Sequence, residues 1–384
     1  MKPTYLIGML ISLLVIILLL RIGLPAANLV KRRELSDLFV GIDAAYEDMD
    51  EVKQLVDDVS SYTNVFVLGC TGITHNFTKL DKMCQYIYNR GMYFIIYSEQ
   101  IATNAEQIAI NTEWLEEAQA KWGDKFLGFY AYDEFGGWQV DSYDLRRVDE
   151  ADNYTDAANQ FESNINRILN LYTQSYTNSA KYPLFTSDYA LYWFDYKGGY
   201  DTVFAEFGWN YSRQLNIALC RGAATMQGKD WGVMITWTYT EPPYLESSEE
   251  LFNDLLLAYE NGAKYIIVFN SNENYTHGVL EQDQLQALRV FWHYLQNNPR
   301  ISFPASDRVA YVLPKDYAYG FRGPNDKIWG FWEADAFSDQ ICQNLGSLIE
   351  EYGFRLDIIY DEGLENNSTC GYSQLIFWNG TSVT

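Results

Sequence analysis

The stretch FLGFYAYDEFGGW, residues 126–138, decides the fold class of this chain. It opens with apolar and aromatic residues of the kind enriched in strands, and this run ends at Asp133 and Glu134. Gly136 and Gly137 follow almost at once. A short apolar run that closes on acidic residues and then meets glycines is typical of a strand whose carboxyl end enters a functional loop.

Similar runs recur on both sides of this stretch, with helical patterns between them at residues 48–59, 80–89, 105–121 and 157–172. Strands that alternate with helices predict a parallel sheet, and eight of them are the number that closes a (β/α)₈ TIM barrel. Residues 188–199 are rich in aromatics and turn formers and fit either a strand or a loop. The predicted strands are residues 38–43, 64–68, 93–98, 126–132, 184–187, 202–207, 232–238 and 265–270.

The strand and helix pattern restarts after Pro299, with a helix at 336–352 among short strands at 308–313, 356–360 and 375–378. This pattern predicts a small α/β three-layer domain of the flavodoxin-like kind, which stops after its third strand. We therefore predict three parts: a transmembrane anchor with a basic juxtamembrane segment at 1–34, the barrel with the functional site at 35–300, and the small module at 305–384.

The N-terminal residues bear on where the protein is located. Residues 5–20 are apolar or small, which predicts a transmembrane helix or, if cleavage follows near residues 25–27, the signal peptide of a secreted protein. The basic cluster at residues 31–33 favours a cytoplasmic body by the positive-inside rule. Seven glycosylation sequons favour the opposite orientation, so we expect a membrane-anchored glycoprotein whose bulk is extracellular. The sequons lie at Asn76, Asn153, Asn210, Asn274, Asn366, Asn367 and Asn379.

The composition bears on the partners of the chain. A formal net charge of −24 offers no basic face for a phosphate backbone, so no nucleic acid is expected. The five cysteines lack CxxC spacing and the three histidines form no HExxH pattern, so we expect neither a metal nor a cofactor. The 31 Tyr and 11 Trp are the unusual feature. Most such rings bridge core and surface, but exposed ones stack on the apolar faces of sugars, which points to an oligo- or polysaccharide partner.

Reactive groups of barrels sit at the carboxyl ends of the strands, and here those positions are acidic and aromatic. The candidate catalytic residues are Glu134, Glu206, Asp133 and Glu241. Indole rings near the strand ends are candidate stacking platforms, and asparagines are candidate partners of sugar hydroxyls. The candidate substrate-binding residues are Asp43, Tyr46, Glu99, Tyr132, Trp138, Trp193, Trp209, Asn210, Trp237, Tyr239, Asn270 and Asn272.

A ring of carboxyl groups suits the cleavage of a glycosidic bond. That reaction needs one protonated carboxyl group that donates its proton to the leaving oxygen, and one ionised carboxyl group that acts as nucleophile or base. Partial burial and mutual repulsion raise one pKa and leave the other low, which divides the two roles. We expect the carboxyl groups of Glu134 and Glu206 to lie about 5 to 10 Å apart.

Residues 128–134, Gly-Phe-Tyr-Ala-Tyr-Asp-Glu, resemble the strand-four segment of (β/α)₈-barrel glycoside hydrolases, where an acidic residue closes the strand and a glycine-rich loop follows. A barrel followed by a flavodoxin- or amidotransferase-like module is similar to the layout of some β-galactosidases. The resemblance covers most of residues 38–384 in architecture. In motif it covers only the ends of predicted strands four and six.

The chain departs from the barrel clan built on two glutamates, in which Asn usually precedes the acid and the nucleophile closes strand seven. Here Asp133 precedes Glu134, and Glu241 lies beyond strand seven. A pair from strands four and six is instead similar to galactosaminidase-like and α-galactosidase-like barrels. This resemblance implies Glu134 and Glu206 as the working pair, with Asp133 next and Glu241 as the alternate nucleophile.

Two other functions stay open at this point. A non-catalytic, glycan-binding barrel of the cell envelope has the same aromatic residues but no close carboxyl pair. A different barrel hydrolase, such as a deacetylase or a metal-dependent enzyme, requires Asp43, Asp133 and a histidine to converge, and His75 is the candidate. Arg221, in the helical stretch after strand six, is expected to pair with a carboxylate.

Overall fold

The computed structural model describes residues 37–45, 48–98, 112–142, 144–178, 180–242, 244–271, 279–300, 304–362, 364 and 370–384. The residues from Asp37 to Thr384 form one compact unit. The predicted anchor and its basic cluster lie outside the described residues. Within the described part, no helix is long and apolar enough to cross a membrane.

The strands of the first sheet match the predicted runs to within three residues, close to the scatter expected at element ends. In the described part of the chain they are β1 Phe39–Ala45, β2 Val65–Leu68, β3 Tyr93–Tyr97, β4 Phe126–Tyr130, β5 Leu184–Asp188, β6 Thr202–Phe207, β7 Asp230–Ile235 and β8 Tyr265–Ser271. They pair in parallel in chain order, and β8 pairs back onto β1. The sheet is therefore closed, which confirms the predicted (β/α)₈ barrel.

Helices connect the strands on the outside of this barrel. Those among the described residues are α1 Met49–Val59, α2 Thr71–Thr74, α3 Phe77–Asn89, α4 Thr112–Trp122, α5 Phe135–Asp141, α6 Tyr154–Thr173, α7 Tyr192–Gly198, α8 Arg213–Gln227, α9 Ser248–Glu260 and α10 Gln282–Asn297. Residues 188–199, which the sequence left open between strand and loop, mainly form α7. This helix is short and buried on almost every side, so it shows no apolar stripe by which to recognise it.

Bulky side chains fill the inside of the barrel, because alternate residues of each strand point inward. Phe39, Phe185, Phe204 and Tyr265 form part of this buried cluster. The rings of Phe39 and Tyr265 stack with centroids 4.8 Å apart. The barrel is therefore a packed core, and only its open end is available for chemistry.

A second, smaller sheet follows the barrel. Its strands are β9 Val309–Leu313, β10 Leu356–Tyr360, β11 Gln374–Phe377 and β12 Ser382–Val383, and the helix α11 Ala336–Tyr352 packs on β9 and β10. The strand order is β10-β9-β11-β12, with β12 antiparallel to β11. The prediction of three strands missed β12, since a two-residue strand carries no sequence pattern.

A buried ion cluster joins the small sheet to the barrel. Asp357 of β10 is fully buried and accepts hydrogen bonds from Arg221 of α8 at 2.8 Å and from Arg308 at 2.5 Å. The hydroxyl of Tyr372 donates a third, at 2.9 Å. The expected pairing of Arg221 with a carboxylate is confirmed. Because buried charges are tolerated only when paired, the barrel helix and the small sheet depend on each other.

Gly222 lies where α8 meets β10. A Cβ at this position would be 2.3 Å from the carbonyl oxygen of Ile358, so Gly222→Ala has to push helix and strand apart. We expect a loss of about 1–3 kcal/mol in the free energy of unfolding, measured by chemical denaturation. The matched control is Gly346→Ala on the exposed side of α11, where a Cβ meets nothing within 4 Å and should stabilise the helix by up to about 1 kcal/mol. Equal effects in the two variants would contradict the close approach.

Candidate active site

A cavity of about 340 Å³ opens at the carboxyl ends of the barrel strands. All eight strands, or the loops directly after them, contribute to its wall. Four of the lining side chains are carboxylic acids, and no lysine, arginine or histidine is among the lining residues that the structure describes. The four acids are Asp43, Asp133, Glu134 and Glu206.

Glu206 occupies the deep part of this cavity. It lies within β6 and is 4% exposed. Its Oε1 accepts a hydrogen bond of 2.6 Å from the hydroxyl of Ser187, which in turn accepts one of 2.7 Å from the hydroxyl of Tyr130. This chain of hydroxyl groups from β4 and β5 holds one oxygen of Glu206 in place.

Glu134 lies at the turn between β4 and α5. Tyr132 and Glu134 both adopt left-handed backbone conformations, with φ of 63° and 55°, and this turn ends β4 two residues earlier than predicted. Left-handed backbone is uncommon for residues other than glycine, and it concentrates at functional sites. The indole N–H of Trp138, one helical turn further on, donates a hydrogen bond of 2.9 Å to Oε2 of Glu134.

The carboxyl groups of Glu134 and Glu206 are within hydrogen-bonding reach of each other. Burial raises the pKa of Glu206 well above its usual value, and the charge of Glu134 raises it further. Burial also raises the pKa of Glu134, and the hydrogen bond from Trp138 opposes that rise. Two carboxyl groups this close do not both ionise, so the pair holds a shared proton.

Asp43 lies at the end of β1, 3% exposed, in the wall of the same cavity. Its Oδ1 has no hydrogen-bond partner among the described residues. Burial, and then the charge of Asp133, raise the pKa of Asp43 well above its ordinary value. This oxygen is buried beside Gly69, and a buried polar atom without a partner is costly.

The structure places the other described sequence candidates outside the cavity wall. Trp193 is buried against the small sheet, with its ring 5.3 Å from that of Tyr360 and its indole N–H directed to Glu362, so the predicted stacking role is corrected. Glu241 is exposed in a turn. Tyr46, Glu99 and Asn272 lie outside the described residues. The remaining candidates are near strand ends without lining the cavity: Tyr132, Trp138, Trp209, Asn210, Trp237, Tyr239 and Asn270.

Two of these candidates have structural partners instead. The side-chain oxygen of Asn270 accepts a hydrogen bond of 2.9 Å from the backbone N–H of Leu280, while its amide nitrogen is buried without a partner among the described residues. Trp237 stacks on Tyr244 with centroids 5.1 Å apart. The sequence reasoning also missed Ser187 and Asp188, although two polar residues at the end of an apolar strand are the same signal that pointed to Glu134.

The convergence required for a metal-dependent hydrolase is not present among the described residues, where no group of three His, Cys, Asp or Glu side chains is placed to hold a metal ion. His75 is exposed after α2 and does not line the cavity. Asp43 and Asp133 both line the cavity, as that hypothesis requires, but His75 does not.

The buried acids predict a fold that is more stable in mild acid than in mild alkali. Burial raises the pKa of Glu246 to about 8 and that of Asp188 to about 7. An acid whose pKa is raised by folding contributes stability below its unfolded pKa, and this contribution is lost as the pH rises through the folded pKa. We expect the Tm at about pH 5 to exceed that at about pH 8 by on the order of 5 °C in calorimetry. A higher Tm at the alkaline pH would show that these acids are ionised in the folded chain.

No protein-family model matches the chain, and no curated protein matches its sequence. Among solved structures, alpha-L-fucosidase isoenzyme 2 from Paenibacillus thiaminolyticus is similar with a TM-score of 0.52 and 12% identity, over 87% of this chain and 59% of that chain. The present chain therefore spans well under two thirds of the fucosidase. At this identity the similarity shows the fold, which is that of the (β/α)₈-barrel class.

Two further solved structures have lower scores. A glycoside hydrolase family 5 enzyme from Prevotella bryantii B14 has a TM-score of 0.40 and 11% identity, over 68% of this chain and 95% of that chain. The catalytic domain of beta-amylase from Paenibacillus polymyxa has a TM-score of 0.43 and 7% identity, over 68% of this chain and 98% of that chain.

Proposed function

We propose that this chain is a glycoside hydrolase in which Glu134 and Glu206 cleave the glycosidic bond. The observation that carries the proposal is that these two carboxyl groups, each with a raised pKa, interact in the wall of the cavity at the barrel mouth. A purely structural acid pair has no need of an open cavity beside it. A non-catalytic glycan-binding barrel has no need of a carboxyl pair that shares a proton, so the pair favours the enzyme over that alternative.

The positions of the two groups suggest their roles. Glu134 is the more exposed of the two and therefore the easier for a leaving group to reach, so it serves as the general acid. Glu206 lies deeper, and the hydroxyl of Ser187 stabilises its ionised form, so it serves as the nucleophile. Without a substrate, the raised pKa of Glu206 keeps the shared proton on this deeper carboxyl group. Substrate binding therefore has to transfer the shared proton to Glu134.

The short separation bears on the stereochemistry. Retaining glycosidases hold their carboxyl groups about 5–5.5 Å apart and inverting ones about 6.5–9.5 Å, with room for water in the second case. The contact between Glu134 and Glu206 leaves no such room. We therefore favour a retaining double displacement, in which the glycosidic oxygen and the anomeric carbon take the place of the hydrogen bond between the two acids.

The wall of the cavity bears on the substrate. Its four carboxylic acids, with no basic side chain among the described lining residues, disfavour glycans that carry carboxylate, sulfate or phosphate groups. Asp43 lines the same wall as Glu134 and Glu206. We therefore propose an uncharged sugar as the substrate unit.

We also propose that the chain acts outside the cell, anchored by its N-terminal segment. In support, the four sequon asparagines among the described residues are all exposed: Asn76, Asn153, Asn210 and Asn379. Protease treatment of intact cells tests this topology. Cleavage only after lysis would place the body in the cytoplasm, as the basic cluster at residues 31–33 favours.

The test of the proposed activity is hydrolysis by the purified full-length chain. A panel of aryl glycosides and neutral oligosaccharides would be followed by release of the aryl group and by NMR of the first-formed anomer. We expect turnover of at least one neutral glycoside with retained configuration. Release that is equal in wild type and Glu206→Gln would contradict the proposal, and an inverted first product would contradict the double displacement.

A further inference from the structure

A second pair of buried acids lies behind Glu134, and none of the roles above uses it. Asp188 ends β5 and Asp195 lies in α7, and both side chains are 0% exposed. The charge of Asp188 acts on the carboxyl group of Asp195, and neither oxygen of Asp195 has a hydrogen-bond partner among the described residues. Neither is paired with a lysine or an arginine in the described part of the chain. Two buried acids without a cation are expensive, which calls for a reason to keep them.

The carboxylate of Asp188 ties the loop after β5 to the turn that carries Glu134. Its two oxygens accept hydrogen bonds from the backbone N–H groups of Gly136 at 2.6 Å and Gly137 at 2.8 Å. They also accept from the N–H groups of Tyr189 at 2.7 Å and Ala190 at 3.0 Å. Four N–H donors on one carboxyl group favour its ionised form.

The turn at Glu134 is also held by close packing beside the hydrogen bonds from Gly136 and Gly137 to Asp188. The N–H of Glu134 donates to the carbonyl oxygen of Ser187 at 2.9 Å. A Cβ on Gly136 would lie 2.4 Å from the carbonyl oxygen of Ala190, and one on Gly137 would lie 2.1 Å from the tip of the Tyr189 ring. The two loops therefore approach each other as closely as glycine allows, and the left-handed residue Glu134 is held at the junction.

Asp195 holds the proton in this second pair. Burial, and then the charge of Asp188, raise the pKa of Asp195 well above its usual value, so it stays protonated beside Asp188. Burial raises the pKa of Asp188 to about 7, and its backbone donors oppose that rise. In mild alkali Asp188 is thus an anion surrounded by donors, and its charge acts on both Glu134 and Glu206.

We propose that Asp188 is a positioning residue of the site: it locks the turn that presents Glu134, and its carboxylate charge helps to keep the shared proton on the Glu134–Glu206 pair. The expected change in kcat rests on the proposed function, whereas the expected change in the titrations of Glu134 and Glu206 does not. The acids, tyrosines and thiol that face these two pairs are Asp133, Asp141, Tyr130, Tyr189, Tyr192, Tyr196, Tyr200, Tyr211 and Cys220.

The first test is an NMR titration of the full chain labelled with ¹³C at the glutamate side-chain carboxyls. Asp188→Asn removes the charge and keeps an acceptor oxygen, so we expect the titrations of Glu134 and Glu206 to move down by about one pH unit. Trp138→Phe removes a donor to Glu134 and should move that titration up. Asp195→Asn changes no charge, and both titrations should stay in place. An unmoved titration in Asp188→Asn, or an equal shift in Asp195→Asn, would overturn the electrostatic part.

The second test separates position from charge. In Gly137→Ala the charge of Asp188 is intact while the added methyl group displaces the turn. We expect kcat to fall about 10- to 100-fold with KM within about threefold, and the glutamate titrations to stay in place. Unchanged kcat would overturn the positioning part. If the wild-type chain hydrolyses no glycoside, the proposed function fails, while the NMR titration of Asp188→Asn still decides the electrostatic role of Asp188.

Discussion

Glu134→Gln is expected to lower kcat for a glycoside with a poor leaving group by about a thousandfold or more while binding survives. Glutamine keeps the shape of the side chain and can still accept the hydrogen bond from Trp138, but it cannot donate a proton to the leaving oxygen. The measurement is steady-state kinetics on two substrates, one with a poor and one with an activated leaving group. The loss should be much smaller for the activated one, because its departure needs no protonation.

Glu241→Gln distinguishes the two assignments of the catalytic pair. Glu241 was the alternate nucleophile on sequence grounds, but it is exposed in a turn and does not line the cavity. We expect its kcat to stay within about twofold of wild type, the range of a surface substitution. A collapse of activity in Glu241→Gln with little effect in Glu134→Gln would move the site away from the pair described here. If Glu134→Gln lowered kcat equally for the poor and the activated leaving group, Glu134 would not be the general acid.

Asp357→Ala is expected to lower the free energy of unfolding by about 3–5 kcal/mol, because it leaves two buried arginines without their counter-ion. The matched control is Asp50→Ala, whose partner Lys53 is on the surface, and it should cost about 1 kcal/mol or less. Chemical denaturation near neutral pH measures both. A loss below about 1 kcal/mol for Asp357→Ala would show that the arginines find other partners.

A combined replacement tests the physical reason for that loss. If Arg221, Arg308 and Asp357 are changed together to apolar residues of similar size, no charge is left uncompensated. We expect the triple variant to recover most of the stability lost in Asp357→Ala, since well-packed apolar groups often match a buried ion cluster. A triple variant as unstable as the single one would mean that the hydrogen bonds of the arginines to the backbone are what holds the small sheet.

Much of the site was predictable from the sequence because parallel strands all point their carboxyl ends the same way. Asp43, Asp133, Glu134 and Glu206 each follow or close an apolar run, and all four line one cavity. The same rule did not separate these residues from Trp193 and Asn270, which also lie near strand ends. The direction of a side chain beyond the strand depends on turn geometry, and here the turns at Tyr132 and Glu134 are left-handed.

The sequence by itself determined the class of fold and the side of the barrel on which the acids lie, because apolar periodicity sets which residues pack inward and strand direction sets where each run ends. Only the tertiary structure decided that Glu134 and Glu206 touch, that Asp188 stands behind them, and that Arg221 faces Asp357. Those contacts join residues far apart in the chain. They depend on how loops and helices pack after the barrel has closed, and no local pattern records that packing.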